Sequence, residues 1–256
     1  MHPVENSLIC IVHGGWHQPL HYRHLIDALT AKGHTVVCPQ LATSGYDDAT
    51  QKKNYHDDVA RVHESLLPYL DQGHKALVIG HSFGGISATA ATWGHTVEER
   101  TVKGLLGGIS ALIYISAYPD HTKPILSSAL ADPEKPVLDP VTQMWTHQGA
   151  AEIMYHDSDP DKLQPALAQL LRLSAKALMC EPICTAPQVK IDKYFLVSRN
   201  DRIIPAEYQR ECAKYAGASI IELDCGHSAF LRSREVEKIV EFVGDVLNNK
   251  ANRLGL

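Results

Sequence analysis

A serine flanked by glycines is the first group in this chain whose sequence context is typical of covalent chemistry. The motif G-H-S-F-G-G at residues 80–85 follows an apolar run at residues 76–79 and opens a segment rich in alanine and serine. A tight strand-to-helix turn of this kind presents a serine hydroxyl at the start of a helix, and it needs small neighbours because larger ones would collide. The pattern predicts that Ser82 is a nucleophile and not an idle residue of a glycine-rich turn.

A serine hydroxyl is a poor nucleophile near neutral pH, so it needs a base within hydrogen-bond reach and an acid that orients this base. His227 follows the last predicted strand, and Asp201 follows the strand before it. The carboxyl ends of parallel strands meet at one edge of a sheet, so both residues are expected to reach Ser82. Asp224 and Asp192 are alternatives for the acid, but an acid at the end of a neighbouring strand reaches the imidazole most easily.

The tetrahedral intermediate of acyl transfer carries a negative oxygen, and two backbone N–H groups are expected to bind it. One is the N–H of Phe83, because this residue follows the nucleophile at the start of the helix. The other is expected in the loop after the first predicted strand, where residues 13–16 read H-G-G-W. Within this loop we select Gly15, so Gly15 and Phe83 form the predicted oxyanion hole.

A rival site near the N-terminus is a zinc site built from four histidines that recur three or four residues apart, namely His13, His17, His21 and His24. On one continuous helix such a spacing presents several imidazoles to a metal. Pro19 favours a helix that begins only there, which leaves His13 and His17 in the preceding loop. We therefore predict no metal site, and we interpret Cys180 and Cys184 as packing residues and not as a ligand pair.

The elements that position these residues alternate along the chain. Apolar runs typical of buried strands are followed by segments with apolar residues at helical spacing. This alternation predicts an α/β fold with a mostly parallel, twisted sheet and helices on both faces. The predicted strands are residues 7–12, 35–38, 76–79, 109–116, 194–198 and 219–223, and the predicted helices are residues 19–31, 55–70, 82–93 and 233–247.

The alternation stops between Tyr118 and Val189, where nine prolines separate short helical pieces. Because the flanking strands belong to one sheet, this stretch is predicted to be a helical cap inserted after a central strand. The predicted division is an α/β core of residues 1–117 and 190–256 and a cap of residues 118–189. Trp16, Trp145 and Leu178 are the predicted substrate-binding residues, and the cap side chains Leu126, Leu130, Met144 and Met179 are further candidates for the pocket wall.

Composition excludes several classes of protein. The chain has 256 residues, of which 45% are hydrophobic and 21% charged, as in a globular protein with one sizeable core. A net charge of -5 and the lack of a long basic run argue against nucleic acid as a partner. No apolar run is long enough for a membrane span, and no secretion signal is evident. We expect a cytoplasmic protein whose six cysteines are reduced thiols.

Taken together, these motifs resemble those of the α/β-hydrolase superfamily, and within it the methylesterase and hydroxynitrile lyase group with its related esterases. The resemblance spans nearly the whole chain. It rests on V-H-G-G-W at residues 12–16, L-A-T-S-G at 41–45, G-H-S-F-G-G at 80–85, N-D-R-I-I-P at 200–205 with Gln209 and Arg210, and G-H at 226–227. It implies an α/β-hydrolase fold and a triad in the chain order serine, aspartate, histidine.

The resemblance also separates two chemistries. Hydroxynitrile lyases of this group carry a threonine after the loop histidine and a lysine after the catalytic histidine, whose charge stabilises departing cyanide. The corresponding positions here hold Gly14 and Ser228. A neutral hydroxyl lacks that charge, and Gly14 is expected to leave the oxyanion loop open for an acyl carbonyl. Hydrolysis is therefore favoured over cyanohydrin cleavage.

The sequence thus predicts a cofactor-free serine hydrolase for a small or medium, largely apolar carboxylic ester or lactone. A thioesterase and a carbon–carbon bond hydrolase remain alternatives, since both use the same triad. A receptor that keeps the fold but only binds its ligand is an alternative from another class. The sequence leaves the oligomeric state open, and a homodimer is one of the states it allows.

Overall fold

Six parallel strands form the central sheet of this computed structural model, which describes residues 7–121 and 136–248. Numbered in chain order, they are β1 (Leu8–Val12), β2 (Thr35–Val37), β4 (Lys75–His81), β5 (Gly108–Ile115), β9 (Asp192–Ser198) and β10 (Ser219–Leu223). Their order across the sheet is β10-β9-β5-β4-β1-β2, and every neighbouring pair is parallel. All carboxyl ends therefore meet at one edge, as the sequence predicted.

Helices cover both faces of the sheet and bury two separate apolar layers. Helices α1 (Arg23–Ala31) and α8 (Ser233–Leu247) pack on one face, and α2 (Tyr55–Asp71), α3 (Gly84–Thr92) and α7 (Ala206–Ala216) pack on the other. In β1, Leu8, Cys10 and Val12 join the second layer, while Ile9 and Ile11 join the first, because successive side chains of a strand point to opposite faces. The predicted fold class is confirmed.

Most predicted elements are present with shifted ends. The predicted helix at residues 19–31 starts as a 3-10 turn, Pro19–Tyr22, before α1 begins. Helix α4 (Val97–Val102) and helix α7 were not predicted. Within the described residues, no helix has the length and apolarity required to cross a membrane.

The segment between β5 and β9 contains strands as well as helices. Strands β6 (Pro136–Asp139), β7 (Met144–His147) and β8 (Arg172–Ser174) join β3 (Ser44–Gly45) in a small antiparallel sheet of order β3-β8-β7-β6. Helices α5 (Ala150–Ile153) and α6 (Pro160–Ala168) lie between β7 and β8. The segment predicted to be a helical cap thus contains helices and strands, because these strands are too short for a visible alternation and β8 depends on a strand from the core.

Three of the four N-terminal histidines are buried and bonded to protein groups. His13 donates from Nδ1 to the oxygen of Gly14 and accepts at Nε2 from the N–H of Leu41. His17 is bonded to the oxygen of Gly15 and to the hydroxyl of Tyr155. His21 is bonded to the N–H of Gln18 and the oxygen of Ala166, whereas His24 is exposed. Their ring nitrogens therefore serve the protein structure.

Helix α3 can lie close to β1 only because residue 84 is a glycine. An added Cβ at Gly84 would lie 2.2 Å from the oxygen of His13 and 2.4 Å from that of Val12. Gly84→Ala should therefore lower the free energy of unfolding by about 3 kcal/mol. Gly244→Ala in α8 is the control, because its Cβ would meet no atom within 4 Å and alanine favours a helix. Equal urea midpoints for the two variants would contradict this packing.

Acid should destabilise the fold through its buried histidines. Burial lowers the pKa of His21 to about 4. Its contribution is complete above the unfolded pKa of about 6.5 and is lost as the pH falls towards 4, since only the unfolded state binds the proton in that window. The free energy of unfolding is measured by urea titration of the wild type and of His21→Gln at about pH 7.5 and at about pH 4.5. The decrease between these two pH values should be about 2–3 kcal/mol smaller in His21→Gln than in the wild type.

The control for this experiment is the exposed neighbour, His24→Gln, which should keep the wild-type dependence on pH. A comparison between variants is needed because burial raises the pKa of Asp58 to about 7. That carboxyl, which accepts the N–H and hydroxyl of Thr43, acts with the opposite sign. Identical pH dependences for His21→Gln and the wild type would contradict the assignment.

Candidate active site

Ser82 occupies the turn between β4 and α3 in a strained backbone conformation. Its φ of 53° lies in the left-handed region, which is uncommon for a residue other than glycine. The Ser82 N–H donates to the oxygen of Ile115 at 3.1 Å, and its own oxygen accepts from the N–H groups of Gly85 and Tyr118. These bonds tie the turn to β5 and to the first turn of α3, and so fix the strained residue in place.

The predicted serine, histidine and aspartate lie in one hydrogen-bonded row. Oγ of Ser82 is 3.0 Å from Nε2 of His227, and Nδ1 of His227 is 2.8 Å from Oδ2 of Asp201. Because a carboxylate only accepts, Nδ1 carries the proton of a neutral imidazole and Nε2 is left to accept from the serine. The His227 and Asp201 side chains are 1% and 0% exposed, so water does not compete for these bonds.

Asp201 is held by three further donors. Its Oδ1 accepts the N–H groups of Ile203 and Ile204 at 2.7 and 2.9 Å, and its Oδ2 accepts Nε2 of Gln209 at 2.9 Å. The other two candidate acids are exposed: Asp224 pairs with Arg199 at 3.2 Å, and Asp192 begins β9. The structure therefore places Asp201 beside the imidazole. Gln209 entered the sequence analysis only through the family resemblance.

The two residues predicted to supply the oxyanion donors, Gly15 and Phe83, lie close to each other. A Cβ added at Gly15 would lie 3.6 Å from Cβ of Phe83, so the loop after β1 lies against the start of α3. Among the described residues, neither the Gly15 N–H nor the Phe83 N–H is bonded to an acceptor. Unpaired donors beside a nucleophile are what an oxyanion hole requires.

The orientation of the Gly15 N–H is fixed from the other side of its peptide group. The oxygen of that group, on Gly14, accepts Nδ1 of His13 at 2.8 Å and the N–H of His17 at 3.3 Å. The described peptide bonds are all trans, so the N–H points opposite to the oxygen. His13 therefore aims the Gly15 N–H away from itself.

Gly14 also permits a close approach that the sequence did not predict. A Cβ here would lie 2.8 Å from Nδ1 of His81 and 3.1 Å from Cβ of Ser82. The close approach of His81 thus requires a glycine at this position. A threonine, as in the lyases, would not fit at this position without moving that ring.

The position that holds a lysine in the lyases is occupied by a buried hydroxyl. Ser228 is 2% exposed, and its Oγ has no hydrogen-bond partner in the described part of the chain. Arg202, the cation that follows Asp201, donates from Nη1 to the oxygen of Glu152 at 2.9 Å and is exposed. It braces the loop after β9 against the segment between β5 and β9.

That inserted segment contacts both loops of the site. Nε1 of Trp16 donates to the oxygen of Trp145 at 3.1 Å, and the Trp16 oxygen accepts the N–H of Leu171 at 2.7 Å. Asp157, which the sequence did not single out, accepts the N–H of Gly226 at 2.7 Å, directly before His227. Arg232 pairs with the same Asp157 oxygen at 2.6 Å. The loop after β1 and the loop that carries His227 are therefore both bonded to the insertion.

The candidate wall residues have different environments. Leu173 was not predicted, yet its Cδ2 would lie 3.3 Å from a Cβ at Gly15 and it is 3% exposed. Leu178 is partly buried against the same apolar layer as Leu173, and Met144 is 2% exposed. Met179 is 72% exposed. Leu126 and Leu130 lie outside the described residues.

Similar proteins agree with this architecture. An alpha/beta hydrolase nvfD from Aspergillus novofumigatus is 22% identical over 89% of this chain and 92% of its own length. Methyl jasmonate esterase 1 from Vitis vinifera is 23% identical over 78% of this chain and 81% of its own. The crystal structure of polyneuridine aldehyde esterase superimposes with a TM-score of 0.73 at 20% identity, covering 94% of this chain and all of that one.

The family profile described as the alpha/beta hydrolase family matches residues 9–239, a range that contains the central sheet except for Leu8, together with Ser82, His227 and Asp201. The expected superfamily is thereby confirmed, and this chain belongs to the α/β-hydrolase family.

Proposed function

We propose that this protein is a serine hydrolase that cleaves a small or medium, largely apolar carboxylic ester or lactone through an acyl-enzyme. The observation that carries the proposal is the uninterrupted row of hydrogen bonds from Ser82 through His227 to Asp201, close to two N–H groups that no acceptor among the described residues binds. A nucleophile, an oriented base and oxyanion donors are the parts that acyl transfer needs.

In the proposed reaction, Oγ of Ser82 attacks the ester carbonyl while Nε2 of His227 takes the hydroxyl proton. Asp201 stabilises the resulting imidazolium without itself becoming protonated. The Gly15 and Phe83 N–H groups bind the negative oxygen of the tetrahedral intermediate. Collapse of the intermediate breaks the bond to the alcohol, which leaves with the proton from His227. A water molecule then attacks the acyl group with His227 again as the base, and releases the acid.

The substrate class is supported by two features. Two of the similar proteins carry the names of esterases, methyl jasmonate esterase 1 and polyneuridine aldehyde esterase. The side chains next to the oxyanion loop are apolar, with Leu173 against Gly15 and the Trp16 indole bonded to the Trp145 backbone. An apolar wall favours an apolar acyl or alcohol group. Trp16, Trp145 and Leu178 remain the proposed substrate-binding residues.

A thioester or carbon–carbon bond hydrolase would use the same groups, and substrate screening separates these activities from ester hydrolysis. A receptor that only binds its ligand would not need a base in contact with Ser82 or two N–H groups left without acceptors. Those features favour turnover. A small-molecule substrate is the proposed partner, and a homodimer stays compatible with this chemistry.

Ser82→Ala should reduce hydrolysis of p-nitrophenyl acetate by a factor of about 10³ or more, because the rest of the triad has no nucleophile to activate. A fluorophosphonate probe should add its mass to the wild type and not to the variant. The matched control is Ser87→Ala in α3, since Ser87 is fully buried and its hydroxyl has no partner in the described part of the chain.

Near-wild-type hydrolysis by purified Ser82→Ala would overturn the proposal. The same preparations should release no cyanide from mandelonitrile above the buffer rate, because no ammonium group lies next to His227 in the sequence. Cyanide release that disappears in Ser82→Ala would instead favour the lyase chemistry.

Leu173→Ala should alter chain-length preference, because it removes apolar volume beside the oxyanion loop. We expect kcat/KM for a long acyl ester relative to a short one to rise by about 10-fold, the effect of one or two methylene groups in an apolar pocket. Leu29→Ala is the control, since Leu29 is equally buried but belongs to the layer on the other face. A ratio that changes equally in both variants would show that Leu173 acts only through stability.

A further inference from the structure

A buried tyrosine and a buried histidine connect the loops of the site, outside the triad itself. The hydroxyl of Tyr22 accepts the N–H of Gly14 at 2.9 Å and lies 2.7 Å from Nδ1 of His81. Nε2 of His81 lies 3.0 Å from the backbone oxygen of His227. Tyr22 and His81 are each 1% exposed, so the protein supplies all of these partners.

The proton positions in this chain of bonds follow from its ends. A backbone oxygen only accepts, so Nε2 of His81 carries a proton and donates a hydrogen bond to the backbone oxygen of His227. A neutral imidazole then accepts at Nδ1, and the Tyr22 hydroxyl gives its single proton to that nitrogen. The hydroxyl lone pair is left for the Gly14 N–H. Burial lowers the pKa of His81 well below its usual range, which agrees with a neutral ring.

This chain of bonds joins three pieces of backbone that follow three different strands. Gly14 precedes the proposed oxyanion donor Gly15 in the loop after β1. His81 ends β4 and precedes Ser82, and His227 lies in the loop after β10. The triad bonds place the side chain of His227, whereas the bond from His81 holds its backbone.

The surroundings make the connection stiff. The ring of Phe230 stacks on Tyr22 with centroids 4.2 Å apart and meets His81 edge-on at 5.0 Å. The ring of His17 lies 5.6 Å from that of His81. A hydroxyl enclosed in this way has no alternative partner from solvent, so its loss leaves the Gly14 N–H without an acceptor.

We propose that Tyr22 and His81 are positioning residues. They fix the positions of the loop after β1 and the loop that carries His227 relative to Ser82. This inference rests on the proposed hydrolase function. Neither side chain exchanges a proton with the substrate, because the bond from His81 ends on a backbone oxygen and not on the His227 ring. Their effect is therefore geometric, and it is expected to be greatest where negative charge develops on the carbonyl oxygen.

Tyr22→Phe, which removes only the hydroxyl, tests this role. We expect kcat for ester hydrolysis to fall about 10- to 100-fold with KM changed less than about threefold, because alignment matters most in the transition state. Binding of a trifluoromethyl ketone, which forms a tetrahedral oxyanion on Ser82, should weaken in parallel with kcat/KM. Tyr114→Phe is the control: Tyr114 is fully buried and its hydroxyl is bonded to Thr89 at 2.6 Å, away from the site.

His81 provides a second, independent pair of variants. His81→Gln keeps an amide N–H near the position of Nε2 and should retain more of kcat than His81→Asn, whose shorter side chain falls short of the His227 oxygen. Equal kcat values for these two variants, or a trifluoromethyl ketone affinity unchanged in Tyr22→Phe, would overturn the positioning role. A merely structural effect would lower thermal stability equally in Tyr22→Phe and Tyr114→Phe. It would cause neither the kcat difference between the two His81 variants nor the weaker trifluoromethyl ketone binding of Tyr22→Phe.

Amide hydrogen exchange separates failure of this inference from failure of the proposed function. In the peptide that contains Gly14, Tyr22→Phe should exchange faster than the wild type, whereas Tyr114→Phe should not. This readout needs no substrate. If the wild type hydrolyses no ester but the exchange difference is present, the hydrolase proposal fails and the connection stands; unchanged exchange in Tyr22→Phe would overturn the connection itself.

Discussion

The close approach of the loop after β1 to the turn after β4 is the constraint on which the rest of the site depends. Two glycines permit it: a side chain at Gly84 would collide with backbone oxygens of β1 and its loop, and one at Gly14 would collide with His81. Because the two backbones are this close, Gly15 lies beside Phe83, the residue that follows Ser82. The strained φ of Ser82 is maintained by bonds to β5 and α3.

Burial imposes a second condition on this region. Imidazoles that are cut off from water stay neutral unless a partner stabilises their charge, and a neutral imidazole has one donor and one acceptor nitrogen. In His13, His17 and His81, each of the two ring nitrogens has a hydrogen-bond partner. Each ring thereby links two specific backbone or hydroxyl groups. In the histidine-rich segment near the N-terminus, the rings of His13 and His17 thus fix the distance between the groups that they bond.

The inserted segment is more closely integrated with the core than a separate lid would be. Its strand β8 pairs with β3, its Leu171 bonds to Trp16, and its Asp157 bonds to Gly226. Leu173 therefore reaches the proposed oxyanion loop from a strand whose position depends on the core. In the proposed function, the same contacts that shape the apolar pocket also support the loops that carry the catalytic groups, so substrate preference and alignment are coupled through one set of packing interactions.

The sequence by itself determined the features that depend on local patterns. Apolar runs predicted the six parallel strands, and apolar residues at helical spacing predicted the main helices. The glycines on both sides of Ser82 predicted its tight turn. Each of these signals arises within a few neighbouring residues. His227 and Asp201 followed from their positions at strand ends. Their catalytic roles stay proposals, although the structure brings them within hydrogen-bond distance of each other and of Ser82.

Only the tertiary structure decided the features that depend on partners far apart in the chain. It showed that Asp201, and not Asp224 or Asp192, is bonded to His227. It also showed the hydrogen bond between Tyr22 and His81 and the contact of Leu173 with Gly15. It also showed strands in a segment that reads as helical and proline-rich, since β8 acquires its register from β3. The physical reason is the same in each instance: a hydrogen bond or a packing contact is specified by distance and direction in space, and sequence spacing carries that information only within a single strand, turn or helix.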